Sequence, residues 1–453
     1  MDRRRFVASL TAAAGAASAR PARGANGRIR LGFIGLGGRG AYEIRTCLKK
    51  AETEIVAVCD AYQPFVDEVR KAIPTKVDGY QDFRRILERR DIDAVFVSTP
   101  DHWHVPMSMM AFEAGKDVYC EKPLTHTIDE GRALVKAARR HKKILQTGSQ
   151  QRSAEHFQKC VEMIRGGVIG KVTFVEAWNH SNEAPVGIGN PKDSAPPPGL
   201  DWDLCLGPAQ KVPFNMNRWV WNYRWFWEYS GGMMTDWGAH HVDIVHWAMN
   251  VDAPKSVAAF GGKYVLEDNR ETPDTLVTVF EYPGFTFQYR NTLGSGVRYE
   301  GRVYGMAFRG TKGTLVIDRS SYEIRPEYRG AEFAPDRDRV KDTYNEIRQQ
   351  FPPAAAAGTA MTPAITASGF RTDPMAQEAH VQNWLDALRS RKLPNADVEI
   401  GHRVCSACHL GVIAYRTGRR IVWDGEAERV VGDAEAQKYT AKEYRAGFGL
   451  PKA

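Results

Sequence analysis

Residues 28–50 read RIRLGFIGLGGRGAYEIRTCLKK, and this stretch decides the fold of the first part of the chain. A short apolar run is followed by Gly35, Gly37 and Gly40 in the pattern G-x-G-x-x-G, and then by a segment with helical periodicity. Glycines so spaced permit a tight turn, close approach of a pyrophosphate and close packing of the helix on the strand. The pattern predicts a strand, a turn and a helix whose N-terminus binds the phosphates of a dinucleotide.

Three later strand-like runs end in polar residues. Asp60 ends the first of them, twenty residues after Gly40, where a carboxylate binds the ribose hydroxyls of NAD and repels the 2′-phosphate of NADP. Alternating strands and helices predict a parallel, doubly wound sheet whose ligands bind beyond the carboxyl ends of the strands. We therefore expect the residues after the other two runs to face the cofactor: Thr99, Pro100, His102, His104, Glu121 and Lys122.

Strands outnumber helices after about residue 170. Alternating apolar residues at 255–266, 275–292, 301–309 and 313–326 predict an α+β domain with a large, mostly antiparallel open sheet. The fold class is therefore α/β, with a Rossmann sheet followed by this second domain. The predicted divisions are a signal and linker (1–27), an NAD-binding domain (28–150), a substrate-binding domain with C-terminal helices (151–420) and a tail (421–453).

The segment TDWGAHHVDIVHWAMN, residues 235–250, predicts a helix that begins near Thr235 or Asp236. Asp236, His240 and Asp243 are spaced i, i+4, i+7 and share one face. Such a face suits proton transfer or metal binding. Because no group of residues has firm metal-ligand spacing, we expect no metal.

An aromatic run, RWVWNYRWFWEYSGG at 218–232, precedes this helix. Aromatic rings stack on sugars, which favours a carbohydrate ligand, but Trp and Tyr also fill protein cores, so we assign about half of these rings to the core. The candidate substrate contacts are Arg152, Trp225, Trp227, His241 and Asp243. His241 is equally compatible with a packing role.

VCSACHLG, residues 404–411, contains C-x-x-C-H, the attachment pattern of c-type haem. Val404, Ala407, Cys408 and Gly411 nevertheless recur at i, i+3, i+4, i+7, which predicts one packed face of a helix. We therefore expect no haem and interpret the motif as part of that helix.

The N-terminus has the features of an export signal. Arg3-Arg4-Arg5-Phe6-Val7 is similar to the twin-arginine pattern, and Ala17-Ser18-Ala19 fits a cleavage site. This predicts export by the twin-arginine machinery to the periplasm or beyond. Elsewhere the chain, of formal net charge +8, scatters its basic residues among acids, so no nucleic-acid partner is expected. No run approaches the ~18–20 apolar residues of a membrane span.

Gly35-x-Gly37-x-x-Gly40, Thr99-Pro100 and Glu121-Lys122-Pro123 together resemble the Gfo/Idh/MocA oxidoreductases, and the resemblance extends from 29 to about 420. It implies that Lys122 lies beside the nicotinamide and touches the reacting hydroxyl. The spacing Asp236-x-x-x-His240 matches the family's catalytic pair. By this resemblance His240 is the acid/base, and Asp236 contacts the substrate or orients His240. A homodimer or homotetramer formed through the open sheet face is implied as well.

The expected activity is hydride transfer between a nicotinamide cofactor and a hydroxyl-bearing carbon of a sugar, glycoside or cyclitol. His240 is expected to titrate near neutrality. Because free NAD should be scarce outside the cytoplasm, we expect a tightly held cofactor. One alternative is a redox-neutral glycosidase or epimerase acting through a transient keto-sugar. Related glycosidases often depart from E-K-P, so the retained Lys122 favours a dehydrogenase. A non-catalytic sugar-binding protein is the alternative of another class.

Overall fold

The computed structural model describes residues 27–327, 368–370 and 376–451. The predicted export signal therefore lies outside the described residues. Within them, the first sheet has six parallel strands in the order β3-β2-β1-β4-β5-β6, which is the Rossmann order. The strands are β1 (Ile29–Ile34), β2 (Thr53–Cys59), β3 (Asp78–Tyr80), β4 (Ala94–Val97), β5 (Asp117–Cys120) and β6 (Leu145–Thr147).

Helices cover both faces of this sheet, as its apolar strands require. They are α1 (Gly38–Leu48), α2 (Gln63–Ala72), α3 (Arg84–Leu87), α4 (Asp101–Glu113) and α5 (Ile128–Arg140). Leu31 and Phe33 of β1 are fully buried, and the Phe33 ring stacks on Phe96 of β4 at 4.5 Å between ring centroids. The predicted doubly wound sheet is confirmed. Its strand β1 ends where the glycine-rich turn begins.

The second sheet has ten strands in the order β14-β13-β12-β11-β7-β10-β9-β8-β15-β16. Among the described strands of this second sheet, only the neighbours β10 and β7 run parallel, so the predicted mostly antiparallel sheet is confirmed. The bounds are β7 (Val172–His180), β8 (Ser256–Gly262), β9 (Thr275–Tyr282), β10 (Phe285–Thr292), β11 (Tyr304–Gly310), β12 (Gly313–Ile317), β13 (Ser321–Pro326), β14 (Ser368–Phe370), β15 (Ile421–Asp424) and β16 (Arg429–Val430).

One face of the second sheet packs against helices. Along β10, buried and half-buried residues alternate strictly, as expected of a sheet with one covered face. Phe287 and Tyr289 of this strand share a core with Val242 and Val245. The helices of this part are α6 (Glu155–Arg165), α7 (Trp202–Leu206), α8 (Met233–Met249), α9 (Gln377–Ser390), α10 (Val398–Thr417) and α11 (Ala434–Gln437). None of the described helices is long and apolar enough to cross a membrane.

Two C-terminal helices tie the two sheets together. Trp384 of α9 packs edge-on against Phe96 and Tyr119 of the first sheet, although the sequence groups α9 with the second domain. Helix α10 contains VCSACHLG, as the periodicity of the motif predicts. Cys405 Sγ accepts the Leu124 amide at 3.2 Å, and the His409 ring lies 3.0 Å from the Thr125 carbonyl oxygen. The motif therefore packs against the loop that follows β5.

Candidate active site

The glycine-rich turn between β1 and α1 forms an open cradle. Gly35 has a φ of +92°, and a Cβ there would lie 2.5 Å from the Ser98 carbonyl oxygen. A Cβ on Gly40 would lie 1.9 Å from the Gly35 carbonyl oxygen, whereas one on Gly37 or Gly38 would meet nothing within 4 Å. The first two positions thus require glycine for packing, and the other two leave space at the α1 N-terminus. This arrangement fits a dinucleotide pyrophosphate.

Asp60 follows β2 and supports the same turn. Its carboxylate accepts the Leu36 amide at 2.7 Å and the Tyr62 amide at 2.9 Å. Burial raises the pKa of Asp60 to about 6, although both amides act in the opposite direction. Each oxygen keeps a further lone pair, so the carboxylate can order the glycine turn and also bind a ribose hydroxyl.

The residues after β4 divide into two groups. Thr99 Oγ1 is buried with no hydrogen-bond partner among the described residues, which fits a contact to a bound cofactor, and Pro100 is the N-cap of α4. His102 and His104 belong to the first turn of α4 rather than to a loop. Both rings are buried, and His102 Nδ1 has no hydrogen-bond partner among the described residues.

His104 and His102 have packing roles in the structure. The two ring nitrogens of His104 lie 2.7 Å from the Pro123 carbonyl oxygen and 2.8 Å from that of Thr99, so a doubly protonated ring satisfies both. Burial opposes the imidazolium, but Cys120, Asp101 and the Pro123 carbonyl raise the pKa of His104 to about 10. The His102 ring lies 3.2 Å from the Cys205 carbonyl oxygen, and burial lowers its pKa to about 3.

Glu121 connects the loop after β5 to the glycine-rich turn. Its carboxylate pairs with Arg39 at 2.7 Å, and Arg39 also donates to Gln377 Oε1 at 2.7 Å. Burial raises the pKa of Glu121, but the charge of Arg39 outweighs it and holds the pKa below its usual value. Arg39 occupies a variable position of G-x-G-x-x-G, so the motif does not mark it as a site residue. Glu121 and Arg39 together fix the two loops that border the cofactor crevice.

Lys122 and Asp236 meet where the two domains join. Lys122 Nζ lies 2.5 Å from Asp236 Oδ1 and 3.2 Å from the Asp236 carbonyl oxygen. Helix α8 begins at Met233 after Gly232, two residues earlier than predicted, so Asp236 lies in the first turn rather than at the N-cap. Burial acts to raise the pKa of Asp236, but the positive charges of Lys122 and Arg224 outweigh burial and lower the pKa to about 2. The pair is therefore an ion pair at neutral pH.

His240 lies one helical turn beyond Asp236, and its ring centroid is 5.8 Å from that of Trp237. Burial and the positive charges of Arg319 and Lys122 lower the pKa of His240 well below its usual value. The expectation that His240 titrates near neutrality is therefore wrong. Its imidazole is neutral at pH 7 and can accept a proton.

Three predicted substrate contacts lie elsewhere on α8 or against it. Arg152 Nε lies 2.7 Å from Asp243 Oδ1, and the Arg152 guanidinium also sits 5.3 Å from the Trp247 ring centroid. Burial raises the pKa of Asp243, although Arg152 acts in the opposite direction. The His241 ring lies 3.0 Å from Asn179 Oδ1 on β7, so it faces the second sheet. These contacts are internal to the protein.

The two predicted tryptophans lie in different surroundings. Trp225 is buried in a core with Leu206 and Phe226, beneath the Arg270 guanidinium. Trp227 is half-buried and lines a cavity of about 640 Å³ that is bordered by α10 and residues 439–443. Of the described residues, those lining this cavity do not include Lys122, Asp236 or His240. Neither tryptophan is placed beside the Lys122–Asp236 pair.

Two arginines beside the pair had no signal in the sequence analysis. Arg224 Nε lies 3.7 Å from Asp236 Oδ1, and the Arg319 guanidinium covers the Trp237 ring at 4.4 Å from its centroid. Arg224 lies inside the aromatic run, in which no pattern separates it from its neighbours. Arg319 lies in the turn between β12 and β13. Among the described residues, no group of three or more His, Cys, Asp or Glu side chains could hold a metal ion.

The fold and this site define a two-domain dinucleotide-binding protein with an acid–base group at the domain junction. Residues 29–149 match an oxidoreductase family with an NAD-binding Rossmann fold, and residues 206–316 match the GFO/IDH/MocA C-terminal domain. Together these matches span just over half of the 453 residues. The chain belongs to the Gfo/Idh/MocA family.

The similarity to individual proteins is limited in sequence identity or in the share of the chain that it covers. The chain is 32% identical over 157 residues to "Glycosyl hydrolase family 109 protein 1" of Shewanella sp. (strain ANA-3), and this match spans 33% of the chain and 34% of the relative. An NAD-binding protein of Listeria innocua has a similar structure, with a TM-score of 0.60 and 22% identity over 87% of this chain and 99% of its own. The WlbA dehydrogenase of Bordetella pertussis, solved with NADH and UDP-GlcNAcA, gives a TM-score of 0.61 and 18% identity over 88% and 99%.

Proposed function

We propose that this protein is an NAD-dependent oxidoreductase that acts on a hydroxyl-bearing carbon of a sugar, glycoside or cyclitol. The observation that carries the proposal is the Lys122 ammonium, 2.5 Å from Asp236 at the end of the Rossmann strands, with a neutral His240 one helical turn away. Asp60, placed for the ribose, favours NAD over NADP.

The residues of the site have separate tasks. A bound nicotinamide supplies the acceptor or donor of the hydride. Neutral His240 accepts the hydroxyl proton of the substrate, and Lys122 donates a hydrogen bond to the same oxygen and stabilises its developing negative charge. Asp236 holds the Lys122 ammonium in place through the 2.5 Å contact.

A segment of the second domain supports tight cofactor retention. Residues 199–206, which we name the strap, cross the first domain beside Asp60: the Gln63 amide donates to Gly199, and the Asp201 amide donates to Ala61, both at 2.9 Å. Trp103 Nε1 donates to the strap carbonyl of Cys205 at 3.1 Å. These contacts hold the strap beside Asp60, which supports slow exchange of a cofactor bound there.

Export is part of the proposal. The twin-arginine route carries folded proteins, so a cofactor loaded in the cytoplasm would travel with the protein to the periplasm or beyond. A cofactor that stays bound must be restored within each catalytic cycle, by a second substrate or by the same substrate. The mature protein is therefore expected to carry nicotinamide through purification.

The open sheet face supports the expected homo-oligomer. Phe260 of β8 is 72% exposed and pairs in register with the half-buried Val277 of β9 on this face. Exposed apolar side chains on a sheet favour association with another surface. A dimer or tetramer is expected in solution and can be measured by light scattering.

A redox-neutral glycosidase is the second candidate, because one relative bears the name of a glycosyl hydrolase family. Retention of Lys122 favours the dehydrogenase. The two differ in their products: a dehydrogenase leaves the bound cofactor reduced after one turnover, whereas a glycosidase releases a sugar and leaves the cofactor oxidised. Both measurements can be made on the same reaction mixture.

The decisive experiment begins with purified protein, which is denatured so that the supernatant can be assayed for NAD(H) and NADP(H). The loaded protein is then screened against sugars and glycosides for reduction of the held cofactor. NAD(H) at close to one per chain and reduction by a sugar are expected. Empty protein with ordinary turnover of added NAD would refute tight retention. Sugar binding without any chemistry would favour the non-catalytic alternative.

A further inference from the structure

The surroundings of Arg224 bear on what kind of sugar the site accepts. Arg224 belongs to a short 3-10 helix, Asn222–Trp225, and its side chain, 12% exposed, lies beside Asp236. Its Nη1 donates to the Trp221 carbonyl oxygen at 3.0 Å, while its Nε has no hydrogen-bond partner among the described residues. A buried guanidinium with an unused donor is costly, because arginine keeps its charge.

Asp236 does not fully compensate Arg224. The 3.7 Å between Arg224 Nε and Asp236 Oδ1 is too long for a hydrogen bond, and the same oxygen already accepts from Lys122 at 2.5 Å. One carboxylate thus faces two cations. Asp101, the next acid, accepts hydrogen bonds from the hydroxyls of Tyr223 and Ser230, so its charge acts on Arg224 without a direct hydrogen bond.

Two other arginines near this segment show the ordinary arrangement. Arg218 pairs with Glu271 at 3.1 Å, and Arg270 pairs with Asp268 at 2.8 Å. Each of them has a carboxylate within hydrogen-bond distance that no other cation shares as closely. Arg270 Nη1 also has no hydrogen-bond partner among the described residues, so what distinguishes Arg224 from both is that its carboxylate is held more closely by another cation, Lys122.

Arg319 adds positive charge on another side of the site. Its guanidinium covers Trp237, which lies between Asp236 and His240 on α8, and its charge lowers the pKa of His240. The same charge helps to lower the pKa of Asp236. The field at the reacting groups is therefore positive, and such a field favours a negatively charged ligand.

Trp221 provides a surface on which a sugar ring could stack. The Arg224 guanidinium lies 3.9 Å from its ring centroid, yet the residue is 67% exposed. An exposed indole that borders a buried cation matches a ligand with an apolar ring face and an acidic substituent.

We propose that the substrate is an acidic sugar, and that Arg224 selects it by pairing with a carboxylate or phosphate group on the ring. The inference rests on the proposed function, since it names the substrate class of the same site. Arg224 is then a specificity-determining residue, and neutral sugars of the same configuration are poor ligands. A charge-assisted hydrogen bond of this kind corresponds to about a ten- to hundredfold preference.

The test measures affinities by calorimetry on protein that retains its cofactor. The probes are matched pairs that differ only in charge: methyl glycosides of gluco, galacto and manno configuration against the corresponding methyl glycosiduronates, and each hexose against its 6-phosphate. The wild type, Arg224→Gln, Arg224→Lys and the control Arg218→Gln are compared. The affinity ratio within a pair is the readout, because it does not depend on the folded fraction of each variant.

We expect at least one acidic probe to bind about tenfold or more tightly than its neutral partner. Arg224→Gln should remove this ratio, Arg224→Lys should keep part of it, and Arg218→Gln should leave it unchanged. A uronate preference identifies the group as a carboxylate, and a 6-phosphate preference identifies it as a phosphate.

Several outcomes would overturn the inference. Equal affinity within every pair would do so, as would a preference that survives Arg224→Gln, even if hydride transfer is observed and the proposed function stands. Acid-selective binding without any reduction of the cofactor would support the inference and refute the proposed function. Binding of no probe at all would overturn the inference, while the proposed function would still be decided by the screen for cofactor reduction.

Discussion

Two carboxylates on helix α8, Asp236 and Asp243, stand in different environments although both are buried and both contact a basic side chain from another element. Asp236 lies 2.5 Å from Lys122, and Asp243 lies 2.7 Å from Arg152. The side chain of Asp236 is 12% exposed and faces a second cation, and its pKa is lowered to about 2. The side chain of Asp243 is 1% exposed, and burial raises its pKa.

The difference separates a site from a structural contact. Asp243 and Arg152 pair with each other away from solvent, as a structural contact does. Asp236 shares its charge between two cations at the border of a crevice, next to a neutral imidazole. Residue type and helical spacing are alike in the two halves of α8, and only the elements packed against them assign the roles.

The largest expected effect is on the chemistry at the first carboxylate. Lys122→Met should lower kcat/KM by about 10³- to 10⁴-fold, because it removes the ammonium that stabilises negative charge on the substrate oxygen and that pairs with Asp236. Steady-state kinetics on the sugar that reduces the cofactor provides the measurement. The NAD(H) content of the variant should stay that of the wild type. Unchanged kinetics would remove Lys122 from the site.

The second carboxylate should respond in stability. Asp243→Asn leaves Arg152 buried without a counter-charge, so the free energy of unfolding should fall by about 3–5 kcal/mol. Denaturant unfolding measures the loss, and activity per folded molecule should be retained. The double variant Arg152→Met/Asp243→Leu serves as the control and should recover much of the stability. Lost activity at unchanged stability would place Asp243 in the catalytic site.

The pH dependence distinguishes a buried base from an ordinary histidine. Since the pKa of His240 is lowered, its neutral form is complete above the usual histidine range and is lost only on acidification well below it. We therefore expect kcat/KM for sugar oxidation to stay flat between pH 6 and 8. A base with a pKa near 6.5 would give about a fourfold rise over this interval. Such a rise, absent in His240→Gln, would support His240 as the base but contradict its lowered pKa.

A smaller effect is expected at Asp60, which combines features of both carboxylates: it is held by backbone amides and also borders the crevice. Asp60→Asn replaces one acceptor by an amide donor, so NAD affinity should fall by about tenfold and discrimination against NADP should weaken. Reconstitution of cofactor-free protein with each dinucleotide gives both affinities. Asp67→Asn, at a half-buried position of α2 where the carboxylate accepts a hydrogen bond from the Gln63 side chain, provides a matched control. Undiminished NAD selectivity would leave Asp60 a purely structural residue.

Much of the fold follows from local patterns. The glycine turn, the apolar strands and the alternation after residue 170 specify both sheets, because each pattern reports which faces of an element are buried. Lys122, Asp236 and His240 were also predictable, since the E-K-P motif and the Asp-x-x-x-His spacing are short-range features. The structure brings Lys122 and Asp236 into direct contact, with His240 one helical turn further along α8.

The remaining site residues depend on tertiary contacts. Helical periodicity places Asp243 on the same face as Asp236, but two turns are about 10 Å along the axis, far enough to meet Arg152 instead of Lys122. The aromatic run gives no period that separates core Trp225 from exposed Trp221. Arg224 and Arg319 become visible only when the chain brings them to α8. The pairing of His104 with the Pro123 carbonyl likewise cannot be read from spacing.

The most direct test of the different roles of Asp236 and Asp243 is the single-turnover reduction of the retained cofactor by a sugar. Absorbance of the reduced nicotinamide measures this reaction in the wild type, Asp236→Asn, Asp243→Asn and His240→Gln. We expect Asp243→Asn to reduce its cofactor at the wild-type rate per folded molecule. Asp236→Asn and His240→Gln should be slower by about a hundredfold or more. Equal rates for Asp236→Asn and Asp243→Asn would contradict this difference in roles.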